Sequence, residues 1–152
     1  MSSPGGPDFA ERGHRVLPHT ADLIVEAWGP DLAACVEEAL GGLIGICLAS
    51  DSPRLTSTHR ARFGPDRDDA VLLDVLDEAI YLFDTTREGP VEAAVRTPVG
   101  GPGDGAVLEV DFRLASPDTI ESVGLGPKAI SQSGVTVESS AGVVRCSFIV
   151  DV

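Results

Sequence analysis

Leu23-Ile24-Val25-Glu26-Ala27-Trp28-Gly29-Pro30, continuing through Asp31-Leu32 to Cys47, is where the hydrophobic period of the chain changes from two to three-and-four. Leu23, Val25 and Ala27 fall on one face of an extended segment, which reads as a strand with one buried side. Gly29-Pro30 ends it, and Pro30 suits the first turn of a following helix, where its missing N–H is of no consequence. Leu32, Cys35, Val36, Ala39, Leu40, Leu43, Ile44 and Cys47 then recur at the spacing of an amphipathic helix. Gly41, Gly42 and Gly45 weaken that helix intrinsically, each by up to about 1 kcal/mol relative to alanine. Packing must therefore hold it, and the small residues let a neighbouring element approach closely.

Outward from this unit, residues 54–63 read as an exposed strand in which Thr56, Thr58, Arg60 and Arg62 alternate with Leu55, Ala61 and Phe63. A polar loop through Pro65-Asp66-Arg67 leads to a second helix near 68–86. Its apolar face carries Leu72, Leu73, Leu76, Ala79, Ile80 and Phe83, with Asp74, Asp77, Glu78 and Tyr81 opposite. Everything after Gly89-Pro90 reads as strands: Val91–Val95, Ala106–Leu114, and a hairpin of 129–138 with 143–151 about Ser139-Ser140-Ala141-Gly142. The glycine-rich 100–105 is a turn between strands and not a phosphate loop, since it has no lysine and no helix after it. The order predicts one α+β domain over 14–152, two helices packed on mostly antiparallel β-sheet, preceded by a flexible N-terminal tail at 1–13.

Composition narrows the function. The 152 residues carry 24 acidic and 11 basic side chains, a net charge of −13. Nucleic-acid binders gain affinity by neutralising phosphates with lysine and arginine, so direct RNA or DNA binding is not expected. No apolar run is long enough for a membrane helix, and the start lacks the basic and apolar segments of a signal peptide. A cytoplasmic protein with no membrane partner is the expectation. Cys35, Cys47 and Cys146 form no CxxC pair. Twelve residues apart on one helix, Cys35 and Cys47 would lie roughly 18 Å apart, too far for a disulfide. All three read as buried small apolar residues of a reducing compartment.

Two features remain that could carry chemistry. His19-Thr20-Ala21-Asp22 follows Pro18 at a loop-to-strand junction, where Asp22 offers oxygen donors and His19 an imidazole. At the other end, Val144, Cys146, Phe148 and Val150 form an apolar strand face and Asp151 points the other way with Arg145 and Ser147, one residue before Val152. Asp22, Asp151 and the carboxylate of Val152 would make an oxygen-rich partial cage of the kind calcium or magnesium prefers. Carboxylates gathered in this way are costly without a cation or proton between them. The plainer alternative is a turn cap at Asp22 and a solvated strand end at Asp151.

His19-Thr20-Ala21-Asp22 before an apolar strand resembles the HTAD signature of the archease family. Ala79-Ile80-Tyr81-Leu82-Phe83-Asp84-Thr85 is similar to the family's LYLFDT segment, Lys128-Ala129 to its Lys-Ala motif, and Ile149-Val150-Asp151-Val152 to its closing apolar–apolar–Asp–apolar end. The four matches fall in order over about 14–152. Two departures stand out: the Tyr and His usual after Lys-Ala are replaced in Ile130-Ser131-Gln132-Ser133, and the aromatic residue usual before HTAD is missing.

The resemblance implies an archease-like fold and a non-enzymatic role. Archeases assist RtcB-type RNA ligases in tRNA splicing and RNA repair by promoting guanylylation of the ligase and its repeated turnover. On that reading Asp22, Asp151 and Val152 bind a divalent cation, calcium first, with magnesium, manganese or zinc as alternatives. Lys128 acts on the ligase, and His19 and Thr20 support the site. Asp74, Asp77 and Glu78 are further candidates for the partner interface. Two other readings compete: a metal-dependent hydrolase with His19 as base, and a chaperone-like protein-binding module in which the metal is structural.

Overall fold

The computed structural model describes residues 12–19, 22–47, 54–85, 89–99, 105–115 and 129–151. Strands β1 (Gly13–His19) and β2 (Asp22–Gly29) lead into helix α1 (Leu32–Cys47). Strand β3 (Leu55–Asp66) and helix α2 (Asp68–Thr85) follow, then β4 (Gly89–Arg96), β5 (Ala106–Ala115), β6 (Ala129–Ile130), β7 (Thr136–Ser140) and β8 (Val143–Asp151). The α+β class and both helices agree with the reading of the sequence.

The strands form two sheets, and every paired strand runs antiparallel to its neighbours. The larger has the order β1-β2-β8-β6, with β7 beside the first half of β8, and the smaller has the order β3-β5-β4. Helix α1 lies against β2, β1 and β8 of the first sheet and against β4 of the second. Helix α2 rests on β3, β5 and β4 and reaches β6 and β7. One core results, built from Val25, Leu40, Leu43, Leu72, Leu76, Val110, Phe112 and Phe148, all fully buried.

Local chemistry explains the helix boundaries. Pro30 lies before α1 and not inside its first turn, because Asp31 is the cap: its Oδ1 accepts the amide of Ala34 at 2.8 Å and its carbonyl accepts that of Cys35. Asp68 and Asp69 place negative charge on the first turn of α2, where the helix dipole favours it. The close approach foreseen for the glycines of α1 holds at Gly41 and Gly42 but not at Gly45. A Cβ on Gly42 would stand 2.8 Å from Cγ1 of Val25, and one on Gly41 3.3 Å from the His14 ring.

Further details differ from the sequence reading, among them β3, which runs on through Pro65 and Asp66 in place of a polar loop. His19 is the last residue of a strand and not part of a loop; Pro18, which lacks an amide donor, hid that strand, and it sits on the sheet edge, where proline is tolerated. The arm 129–138 is not continuous. A 3-10 turn at Gln132–Gly134 separates β6 from β7, and the amide of Ser131 bonds the carbonyl of Ile149. The β7–β8 hairpin closes through Ala141 and Gly142, both at positive φ (54° and 76°), the backbone of a two-residue type I′ turn.

The cysteines are free and buried, as read from the sequence. Burial pushes the Cys47 thiol up to about 12. A hydrogen bond to Cys35, then burial, pushes that of Cys146 upward as well. No described helix is long and apolar enough to cross a membrane.

Candidate metal centre

The register of the five-stranded sheet decides what its end can hold. Asp22 pairs with His19 of β1 on one side and with Asp151 of β8 on the other, and Asp151 pairs in turn with Ala129 of β6. His19, Asp22, Asp151 and Ala129 thus form one row across four strands. The placement follows from the hydrophobic alternation. Leu23 and Val25 pair with Val150 and Phe148, and burial of Val25, Phe148 and Val150 fixes the inward face of both strands. Asp22 and Asp151 must then project from the other face, together with the paired Ile24 and Ile149.

Direct cross-strand partners have Cβ atoms about 4.5–5.5 Å apart, and like charges in that relationship repel. Asp151 is exposed and Asp22 half-buried, so water screens the repulsion only in part. Two carboxylates at this separation supply hard oxygen donors that one divalent cation can share, so the donor chemistry fits calcium or magnesium better than a thiolate-seeking metal. Among the described residues no cluster of three or more His, Cys, Asp or Glu side chains forms, and the pair contributes two ligands.

Of the residues singled out from the sequence, Asp22 and Asp151 are brought together. Thr20, Lys128, Val152 and the side chain of His19 lie outside the described residues. The chain direction still relates two of them to the row, since Lys128 precedes Ala129 and Val152 follows Asp151. The sequence reading places β6 within one unbroken arm, 129–138, because a strand of two residues has no period to mark where it ends. The acidic face of α2 is divided: Asp74 and Asp77 are exposed, whereas Glu78 is bonded to Nε2 of His59 at 2.8 Å. Burial, then the charge of Asp74, raises the carboxyl of Asp77.

Comparison with known proteins agrees with this architecture. The model of the Archease protein family (MTH1598/TM1083) matches residues 14–152. A probable protein archease of Mycobacterium tuberculosis, found alike in strains CDC 1551 / Oshkosh and ATCC 25618 / H37Rv, is 37% identical over 147 residues. The match spans 97% of this chain and 79% of the relative. Among solved structures, Methanobacterium thermoautotrophicum protein 1598 superposes with a TM-score of 0.71 at 20% identity, covering 92% of this chain and 99% of the other. An archease from Thermotoga maritima, described as a possible chaperone, gives 0.62 at 19% identity over 91% and 96%. At such identities the two structures establish a shared fold.

Proposed function

Because this chain belongs to the archease family, we propose that it is a metal-binding accessory protein that activates an RtcB-type RNA ligase, promoting guanylylation and multiple turnover in tRNA splicing or RNA repair. The observation that carries the reading is the direct cross-strand opposition of Asp22 and Asp151. An archease helper needs its HTAD carboxylate and its penultimate carboxylate at one place, and the sheet register supplies that. Asp22 and Asp151, with the terminal carboxylate of Val152, would hold the cation, calcium by preference. Bound there, the cation supplies positive charge that relieves the carboxylate repulsion and fixes the end of β8.

The remaining residues act around that centre. His19 and Thr20 orient the segment that presents Asp22. Lys128, next in chain to the row at Ala129, meets the ligase. A net charge of −13 suits a protein that approaches a basic protein surface and leaves RNA contacts to the ligase. The description of the Thermotoga archease as a possible chaperone favours one further reading, a chaperone-like module in which the cation only secures the fold.

The two readings part in one assay. Guanylylation of a cognate RtcB-type ligase by GTP is followed with and without this chain. The helper reading predicts faster guanylylation and more than one ligation per ligase. A chain that only protects the ligase from aggregation, with no change in guanylylation rate, supports the chaperone reading instead.

A further inference from the structure

Two of the three cysteines meet in the core. Ala27 on β2 and Cys146 on β8 are direct cross-strand partners, and both side chains are buried on the inward face of the sheet. Cys35, fully buried in the first turn of α1, lies over the same point: its Sγ donates to the Ala27 carbonyl at 3.6 Å. Opposed residues of an antiparallel pair have Cβ atoms about 4.5–5.5 Å apart, so the sulfurs of Cys35 and Cys146 converge beside Ala27. The Cα traces of α1 and β8 come within 8 Å of each other, and the Cys146 thiol is bonded to Cys35 and to the Ala27 backbone.

Cys47 stands apart from this pair. Its Sγ bonds the carbonyl of Leu43, one turn back, at 3.1 Å, and it lies roughly 18 Å along the helix from Cys35. A disulfide needs Cα atoms about 4.4–6.8 Å apart, which the contact between Cys35 and Cys146 allows and the spacing of Cys35 from Cys47 forbids. The hydrogen bond to Cys35, then burial, raises the Cys146 thiol. The thiolate is the reactive form, so the pair rests as two protonated thiols and reacts only when the contact between α1 and β8 opens.

We propose that Cys35 and Cys146 are a reversible dithiol latch, which hydrogen peroxide converts into a disulfide tying α1 to β8. One sulfur, as thiolate, attacks a peroxide oxygen. The O–O bond breaks, a sulfenic acid forms, and the departing hydroxide takes up the proton the thiol released, leaving as water. The second sulfur, as thiolate, attacks the sulfenic sulfur. The S–S bond forms, the S–O bond breaks, and the oxygen leaves with the second thiol's proton as another water. Two thiols have then given up two electrons and two protons, and one peroxide has become two waters. A dithiol reductant reopens the bond by thiol–disulfide exchange. The crosslink closes most of the chain into one loop, which restricts the unfolded state far more than the folded one. The latch depends neither on the carboxylate pair nor on any ligase.

The full chain in chelator is exposed to graded hydrogen peroxide, then unfolded and alkylated so that every remaining thiol is tagged. Folded wild type should lose about 2 Da as a monomer, the mass of the two hydrogens given up. It should keep one taggable thiol, Cys47, and yield a linked Cys35–Cys146 peptide in a non-reducing map. The oxidised protein should melt at a higher temperature than the reduced one, and reductant should reverse the shift. Cys47→Ala should form the same link and keep no taggable thiol. Cys35→Ala and Cys146→Ala, each first shown to be folded, should not lose the mass. Wild type that keeps three thiols throughout the titration overturns the proposal, as does one that takes up oxygen in place of losing hydrogen. A link that includes Cys47, a link between two chains, or an oxidised protein that melts below the reduced one overturns it equally.

Discussion

Asp22 and Asp151 face each other as direct cross-strand partners on β2 and β8, at the last pair of the register the two strands share. Without a cation, that pairing opposes folding. Asp151→Asn in chelator should therefore raise stability by about 0.2–1 kcal/mol, the usual scale of a cross-strand pair, seen as a small rise in Tm. Calcium should raise the Tm of the wild type, since a ligand that binds only the folded state stabilises it. The variant should gain little or nothing. A wild-type Tm indifferent to calcium, magnesium, manganese and zinc would count against the metal centre.

Two glycines of α1 should respond in opposite directions to the same change. At Gly45 a Cβ meets nothing within 4 Å, so Gly45→Ala should stabilise the protein by about 0.5–1 kcal/mol through helix propensity. At Gly42 the Cβ would lie 2.8 Å from Cγ1 of the buried Val25. The gain in propensity is then outweighed by overpacking, which typically costs about 1–3 kcal/mol. Urea denaturation of both variants checks the sign of each.

An ionic cluster ties β1 to α1 and gives the fold an acid-dependent component. Arg12 bonds Glu37 at 2.6 Å and Glu38 at 2.7 Å, Nδ1 of His14 bonds Glu38 at 2.9 Å, and Glu37 also accepts the amide of Val95 on β4. Burial pushes the Glu38 carboxyl upward, but hydrogen bonds from His14 and Arg12 outweigh it and leave it below its ordinary value of 4.5. A carboxylate lowered in the folded state contributes stability that is complete above 4.5 and is lost as pH falls through the folded value. Glu38→Gln should cost about 0.2–1 kcal/mol at neutral pH, since the cluster is partly solvated. That difference from wild type should shrink in denaturation curves taken progressively below pH 4.5.

The β7–β8 hairpin holds Ala141 at a φ of 54° ahead of Gly142 at 76°. Alanine is strained there, and Asn-Gly is the preferred pair for such a turn. Ala141→Asn should stabilise by about 0.5–1 kcal/mol with no change at the carboxylate pair, measurable as a higher urea midpoint with an unchanged slope.

Much of this fold was legible because its long elements have clean periods. The 32–47 pattern predicts α1, and the alternations in 54–63 and 106–114 predict β3 and β5. What escaped lacks a period or breaks one. Strand β1 contains Pro18 and shows Val16 and Leu17, on opposite faces, both to solvent, so no buried face is written into it. The break between β6 and β7 follows a strand of two residues, too short to mark its own end. The division into two sheets depends on pairing between distant segments, such as β2 with β8, which local pattern does not encode. At the site, Asp22 and Asp151 were nameable because motifs mark both ends of the chain, but their opposition is a property of register.

The central claim, that this chain activates a ligase through the Asp22–Asp151 pair, is tested most directly by the initial rate of ligase guanylylation with calcium present. The cognate RtcB-type ligase and GTP are combined with wild type, Asp22→Ala or Asp151→Ala, each variant first shown to be folded. Wild type should accelerate guanylylation, and each variant should leave it at the rate of the ligase alone. Folded variants that stimulate as well as wild type would contradict the account.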